Sequence, residues 1–214
     1  MGASKLQGGW VGRAGFGSAT GAVALQLGVR TLKKIVSGGQ TGADQGALRA
    51  ARDCGLQIGG WCPPGRVCEA GVIPTEFPLT ETPGDRSADA PHVPRSQRTE
   101  WNVRDSDGTL VIQASVRRDV LPRVPFFNTR VENKSDARKR VLPRSGTERT
   151  IECARRYQRP LLICEVDDSE AKKKIGEWLE TNAIVRLNVA GPAESISPGI
   201  GDKAYGLLLR VFEL

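Results

Sequence analysis

The sequence predicts an α/β protein: an open parallel sheet of about five strands with helices on both faces. Three observations predict it. Strand-like and helix-like patterns alternate five times from residue 33 onward. The segments GTLVIQ and PLLICE are continuously apolar, as strands covered on both faces are. No repeat at a solenoid period offers a competing architecture.

The elements follow in order. KKIVS (33–37) is a short strand and 38–42 a glycine-rich turn. Residues 43–54 form a helix, with Ala47, Leu48, Ala50, Ala51 and Cys54 on one face and Gly55 closing its end. A second short strand covers 56–60. A loop from 60 to 85 is punctuated by Pro63, Pro64, Pro74, Pro78 and Pro83, and a loop of that length inside a compact domain is usually functional or disordered. Residues 98–104 read as a short helix, 108–113 as a buried strand, 147–157 as a helix and 160–165 as another buried strand. The charged amphipathic helix 167–181 turns Ile175, Trp178 and Leu179 inward. Residues 183–189 are the last strand, and 200–212 the last helix, with Ala204, Leu207, Leu208 and Val211 on its core side.

The chain divides into a flexible tail, 1–32, and one domain, 33–214, carrying a basic insertion at about 115–144. The net charge of +7 lies mainly in the tail and the insertion. Residues 1–34 hold five basic residues and no acid, and 117–144 hold nine basic residues against three acidic. A nucleic-acid surface is a basic stripe on the folded domain, so nucleic acid is not the expected partner. The apolar run 22–29 is interrupted by Gln26 and Gly28, too short to span a membrane. The five cysteines are odd in number and contain no CxxC, and His92 is the single histidine, which is poor material for a zinc site. They read as reduced thiols of a cytoplasmic protein. Cys54, Cys153 and Cys164 are expected to be buried, and Cys62 and Cys68 lie in the loop, where they could face a ligand.

In an open parallel sheet, ligands sit at the carboxyl ends of the strands where strand order reverses, so the turns there are the candidate site. The first is Ser37-Gly38-Gly39-Gln40-Thr41-Gly42-Ala43-Asp44. Its glycines let the backbone approach a ligand, and its helix N-terminus attracts anions. One helix end contributes only about 0.3–1 kcal/mol, so several turns must converge. A second is Ser145-Gly146-Thr147. A third is Asn188-Val189-Ala190-Gly191-Pro192, followed by hydroxyl-bearing and glycine residues up to Ile200. In the long loop, Arg66 suits a bidentate phosphate contact, and Trp61 is either a stacking platform or a core residue. RTEWNVRDSD (98–107) is denser in different polar groups than a surface helix needs.

SGGQTGADQGAL, GGWCPPGR with IPTEFPLTETP, RTEWNVRDSDGTL and LNVAGPAESISPGI, in this order, resemble the molybdenum carrier (molybdenum cofactor carrier) family. That family is Rossmann-like and related to the superfamily that contains the Lonely Guy phosphoribohydrolases. The likeness spans 33–113 and 145–212. It implies a carrier, not an enzyme, that binds molybdenum cofactor (molybdopterin) or molybdate for storage, protection and transfer to an acceptor molybdoenzyme. It also implies a homo-oligomer, and a metal held by the cofactor's own sulfurs with no protein ligand. Carried over position by position, the binding residues are Gly38, Gly39, Thr41, Gly42, Asp44, Arg66, Gly146, Thr147 and Gly191, with Gln40, Trp61, Ser145 and Ala190 beside them. The chain departs from the family at Pro64, where a basic residue is usual, at Ser145-Gly146, where two glycines are usual, and in the insertion. Two alternatives stay open: a nucleotide-binding sensor module, and a phosphoribohydrolase of the Lonely Guy type, for which Glu152 and Arg66 are the candidate catalytic residues.

Overall fold

The structure, a computed structural model, describes residue 1, residues 31–114 and residues 146–213. Apart from residues 1, 31 and 32, the expected tail lies outside the described residues, as do the insertion and Ser145. The strands are β1 (Lys34–Val36), β2 (Gln57–Gly59), β3 (Trp61–Cys62), β4 (Val67–Cys68), β5 (Gly71–Val72), β6 (Thr80–Glu81), β7 (Gly108–Gln113), β8 (Leu161–Glu165) and β9 (Arg186–Ala190). The helices are α1 (Ala43–Asp53), α2 (Ser96–Arg104), α3 (Gly146–Arg156), α4 (Ala171–Thr181) and α5 (Ile200–Phe212).

The main sheet has the order β2-β1-β9-β7-β8 with every pairing parallel. This is the predicted five-stranded sheet. The register sets Val36 beside Asn188, and Val111 beside Ala190. Counted from β7 instead of β1, the five strands read 2-1-3-4-5, a doubly wound order whose switch point lies between its first and third strands. In this chain those strands are β7 and β9. The chain therefore enters the pattern at its fourth strand.

The helices cover both faces. On one face α1 packs on α5 and α5 on α4, and on the other α2 packs on α3. The first contact is close because it is made by glycines: a Cβ at Gly46 would overlap the Gly201 carbonyl. The larger core joins Ile35, Leu110, Ile112, Leu187 and Val189 of the sheet to Ala47, Leu179 and Leu208 of the helices, and already includes Leu32. Among the described residues, no helix is long and apolar enough to cross a membrane.

Residues 60–85 depart from the expected open loop. β3 pairs with β6 in parallel, and β4 with β5 antiparallel, each over two residues. Under these ladders lies a second core of Leu48, Cys62, Cys68, Ile73, Phe77 and Leu79. Cys62 and Cys68 are buried in it and face no ligand, which corrects the expectation for the loop thiols. Cys153 and Cys164 are buried, Cys54 is half-buried, and all five are free. Burial pushes the Cys153 thiol up to about 12, so it is an inert packing group at neutral pH. Helix α2 starts two residues earlier than expected because the Ser96 hydroxyl is buried, accepting from the Ser87 N–H at 2.9 Å and donating to the Ala90 carbonyl at 3.1 Å. α4 starts four residues later than expected, behind a turn at 167–170 in which Asp168 accepts from the Glu170 N–H at 2.9 Å.

Candidate functional site at the switch point

A cavity of about 480 Å³ opens at the carboxyl ends of β1 and β9 and extends to the start of α3, the helix that follows β7, so that it spans the switch point. Gln40 and Asp44 line it from the first turn, Gly146 and Thr147 from the second, and Ala190 and Gly191 from the third. The three turns proposed from sequence thus face one cavity. The close approach of the third needs glycine, since a Cβ at Gly191 would sit 2.5 Å from the Ile112 carbonyl oxygen.

Its positive charge comes from residues not among the expected binding residues, although Arg98 opens the polar stretch 98–107 noted in the sequence. Arg95 and Arg98 line the cavity from the start of α2, and Arg149 from α3. The spacing of three between Arg95 and Arg98 puts them on one side of the helix's first turn; that was the available signal. Arg98 pairs with the buried Asp44 at 3.3 Å. Arg149 is nearly inaccessible and pairs with Glu152 at 2.9 Å and with Glu100 at 3.4 Å. Burial lowers the Arg98 pKa, with Asp44 opposing and Arg95 adding to the shift. Burial likewise pushes the Asp44 carboxyl above the usual range, against the pull of Arg98 and of the Gln40 N–H.

The glycine turn does not present its peptide groups as expected. The Gln40 N–H donates to the Asp44 carboxylate at 3.3 Å, which also takes the Gly38 N–H. At the start of α1, the Ala43 N–H donates to the Pro192 carbonyl at 3.2 Å. Asp44 is therefore an internal anion on the turn, and the charge left for a ligand belongs to guanidinium groups. Gly38 lies under Arg98, and Gly39 under Leu79 and Ile73. Both are packing glycines.

Thr41 and Gly42 face a second cavity of about 560 Å³ on the far side of the turn. Glu69, Glu76, Glu194 and Asp202 line it against Arg49, a balance that repels anions. Glu69 accepts from the Thr41 hydroxyl and from the Ser195 N–H at 3.1 Å. Glu194 accepts from the N–H of Gly201 at 3.1 Å and from that of Gly199, so the start of α5 carries its own carboxylate.

Trp61 and Arg66 lie outside both linings. Trp61 packs edge-on against Trp101 at 4.7 Å and donates its indole N–H to Asp105 at 2.8 Å; half-buried in this aromatic pair, it neither lines the cavity nor joins a hydrophobic core. Arg66 donates to the carbonyls of Leu79 at 3.0 Å, Pro74 at 3.0 Å and Phe77 at 2.9 Å. Its guanidinium knots the 73–79 segment and has no fork free for phosphate. Arg66→Lys keeps the charge but loses that geometry, and is expected to cost about 1–2 kcal/mol in urea unfolding. Glu152, bound to Arg149, does not line the cavity either. Among the described residues there is no group of three or more His, Cys, Asp or Glu side chains that could hold a metal ion.

The strand order that enters a doubly wound pattern at its fourth strand has a counterpart among known families. Residues 35–121 and 130–212 match the circularly permutated YpsA SLOG family. The chain belongs to that family. None of the curated proteins matches the chain. A solved structure from Syntrophus aciditrophicus SB, described as a putative molybdenum carrier protein, superposes with a TM-score of 0.65 at 32% identity, over 86% of this chain and 96% of that one. The four-motif resemblance to a Rossmann-like, SLOG-related molybdenum carrier family is therefore upheld.

Proposed function

We propose that this member of the circularly permutated YpsA SLOG family is a small-molecule carrier that binds an anionic ligand, molybdenum cofactor or molybdate, in the switch-point cavity. The observation that carries the reading is the meeting of three strand-end turns around a cavity edged by Arg95 and Arg98. Support also comes from the description of the Syntrophus aciditrophicus protein as a molybdenum carrier. About 480 Å³ lies within the usual range for small organic ligands, and the lining of guanidinium, amide and hydroxyl groups fits an oxyanion joined to a polar ring. Arg95, Arg98 and Thr147 would hold such a cargo. Storage and handover to an acceptor molybdoenzyme belong to the same proposal. The phosphoribohydrolase alternative is not favoured, because Glu152 and Arg66 do not line this cavity.

The test is a melting curve with molybdate, and with molybdenum cofactor under anaerobic conditions. A ligand at a hundred times its Kd adds about 2.7 kcal/mol, a rise of roughly 5–10 °C for a domain of this size. An unchanged melting temperature at saturating concentrations of both ligands removes the carrier reading. Release of free base from adenosine monophosphate would replace it with the enzyme.

A further inference from the structure

The main sheet ends in two unlike edges. One edge, β2, is three residues long and closes on Gly59, with the Lys34 side chain lying against it. The other, β8, is five residues long and pairs with β7 alone. Natural edge strands are blunted by shortness, lysine, proline or a bulge. β2 uses the first of these devices. β8 uses none of them: LLICE holds no lysine and no proline, and its register runs without a slip from Thr109 beside Leu161 to Gln113 beside Glu165.

The backbone of β8 is open in alternation. The Thr109 N–H donates to the Pro160 carbonyl at 2.8 Å, and the Val166 N–H to the Gln113 carbonyl at 2.8 Å. In a parallel ladder that phase turns Leu162 and Cys164 toward β7 and leaves Leu161, Ile163 and Glu165 directing their N–H and carbonyl groups off the sheet. Among the described residues, these three N–H groups have no acceptor, and the Leu161 and Ile163 carbonyls have no donor. The Glu165 carbonyl takes the Asp168 N–H at 3.2 Å. Beside them the Ile163 side chain is 44% exposed.

The charges around the strand are divided by end. Arg155 and Arg159 lie just before it, and Glu165 and Asp167 close it. Arg155, Glu165 and Asp167 are exposed, and Asp167 also holds Lys203 at 2.9 Å. A second copy of the strand laid alongside in parallel and in register would set like charges together, and such a contact is not related by a closing two-fold axis. Laid antiparallel with Ile163 opposite Ile163, it sets Leu161 opposite Glu165 and Arg159 opposite Asp167. The basic end of each strand then meets the acidic end of the other.

We propose that β8 is a docking edge for a second copy of this chain: two β8 strands pair antiparallel about a two-fold axis at Ile163 and join two five-stranded sheets into one. In that register the outward-facing residues fall on the hydrogen-bonded pairs of an antiparallel ladder. The two Ile163 residues exchange both of their bonds, and each Glu165 N–H reaches a Leu161 carbonyl of the other copy. The inference is independent of what the switch-point cavity binds.

The experiment is amide hydrogen exchange read by NMR on the full chain at low and high protein concentration, with sedimentation velocity on the same samples. The mass is expected to rise to twice the 23.1 kDa of the chain. The Ile163 and Glu165 amides are expected to slow at least tenfold in the dimer, while those of Leu162 and Cys164, held by β7, are slow at both concentrations. Ile163→Lys places a charge at the axis, and Ile163→Pro removes an N–H that β7 does not use, a position where an edge strand tolerates proline. Each is expected to weaken the dimer at least tenfold. Slow Leu162 and Cys164 amides in the variants show that the strand is still folded, and the wild-type exchange pattern needs neither variant. A chain that stays monomeric up to millimolar concentration overturns the inference. So does a dimer in which the Ile163 and Glu165 amides exchange as fast as in the monomer, or one that both folded variants retain, since either places the contact on another surface.

Discussion

Asp44→Ala is expected to lower the unfolding free energy by about 3–5 kcal/mol, the usual cost of stripping one partner from a buried ion pair. Asp44 is almost fully buried, and the Arg98 side chain is only 14% exposed. Removing the carboxylate leaves Arg98 without its counter-charge and the Gln40 N–H without its acceptor. Arg98 also has its Nε buried with no partner, so even the intact pair retains an uncompensated donor. Arg98→Met should cost a similar amount, because it strands Asp44. The double variant Asp44→Leu, Arg98→Met should regain much of the loss, since apolar groups of similar volume often replace a buried pair without penalty. Urea unfolding of the wild type, Asp44→Leu, Arg98→Met and the double variant completes a double-mutant cycle. Simple addition of the two losses would mean that the pair is not coupled. A sequence selected for stability alone would not keep Arg98 in this state, which fits a side chain retained for the cavity it lines.

The fold was legible where burial writes itself into local pattern. GTLVIQ is apolar along its length because β7 lies inside the sheet, between β9 and β8, covered on both faces. The last helix shows its core stripe at Ala204, Leu207, Leu208 and Val211. Residues 60–85 were not legible, because ladders of two residues have no period. They exist through distant contacts: Arg66 to the 73–79 carbonyls, and the Trp61 N–H to the Asn102 side chain at 2.7 Å. The site was legible in its turns and not in its charges. Gly38, Gly39 and Gly42 signal close approach, but a sequence does not say whether a ligand or the protein itself approaches. At all three the neighbour is protein: Arg98, Leu79 and Pro192 respectively. Arg98 stood out only as part of the polar stretch 98–107; Arg149 was passed over because a charge in a helical pattern is ordinarily solvated, and Arg95 because it precedes the helix expected at 98–104. Only the packing of α2 against α3 encloses Arg149.

Gly42→Ala is the second large effect, at about 2–6 kcal/mol of destabilisation. Gly42 has φ 81 and ψ −131, a region that residues with a Cβ enter only under strain of about 1–3 kcal/mol. The added methyl would also lie 2.5 Å from the Pro192 carbonyl oxygen and 2.7 Å from the Glu194 nitrogen. Both are backbone atoms, so relief requires moving the 192–194 segment, at a further overpacking cost of about 1–3 kcal/mol. That movement breaks the Ala43 N–H bond to Pro192 and shifts Pro192 and Ala193, which line the cavity. Binding and stability should therefore fall together, and a valine here should prevent folding instead of isolating the binding function. Gly146 is the contrasting position. It lines the cavity, has no positive φ, and a Cβ there would meet nothing within 4 Å. Gly146→Ala should melt as the wild type does, so a loss of binding in that variant would report the ligand's own approach to the second turn. Wild-type urea midpoints for Gly42→Ala would show instead that the first and third turns are not pressed together, and the cavity would lose the contact that shapes it.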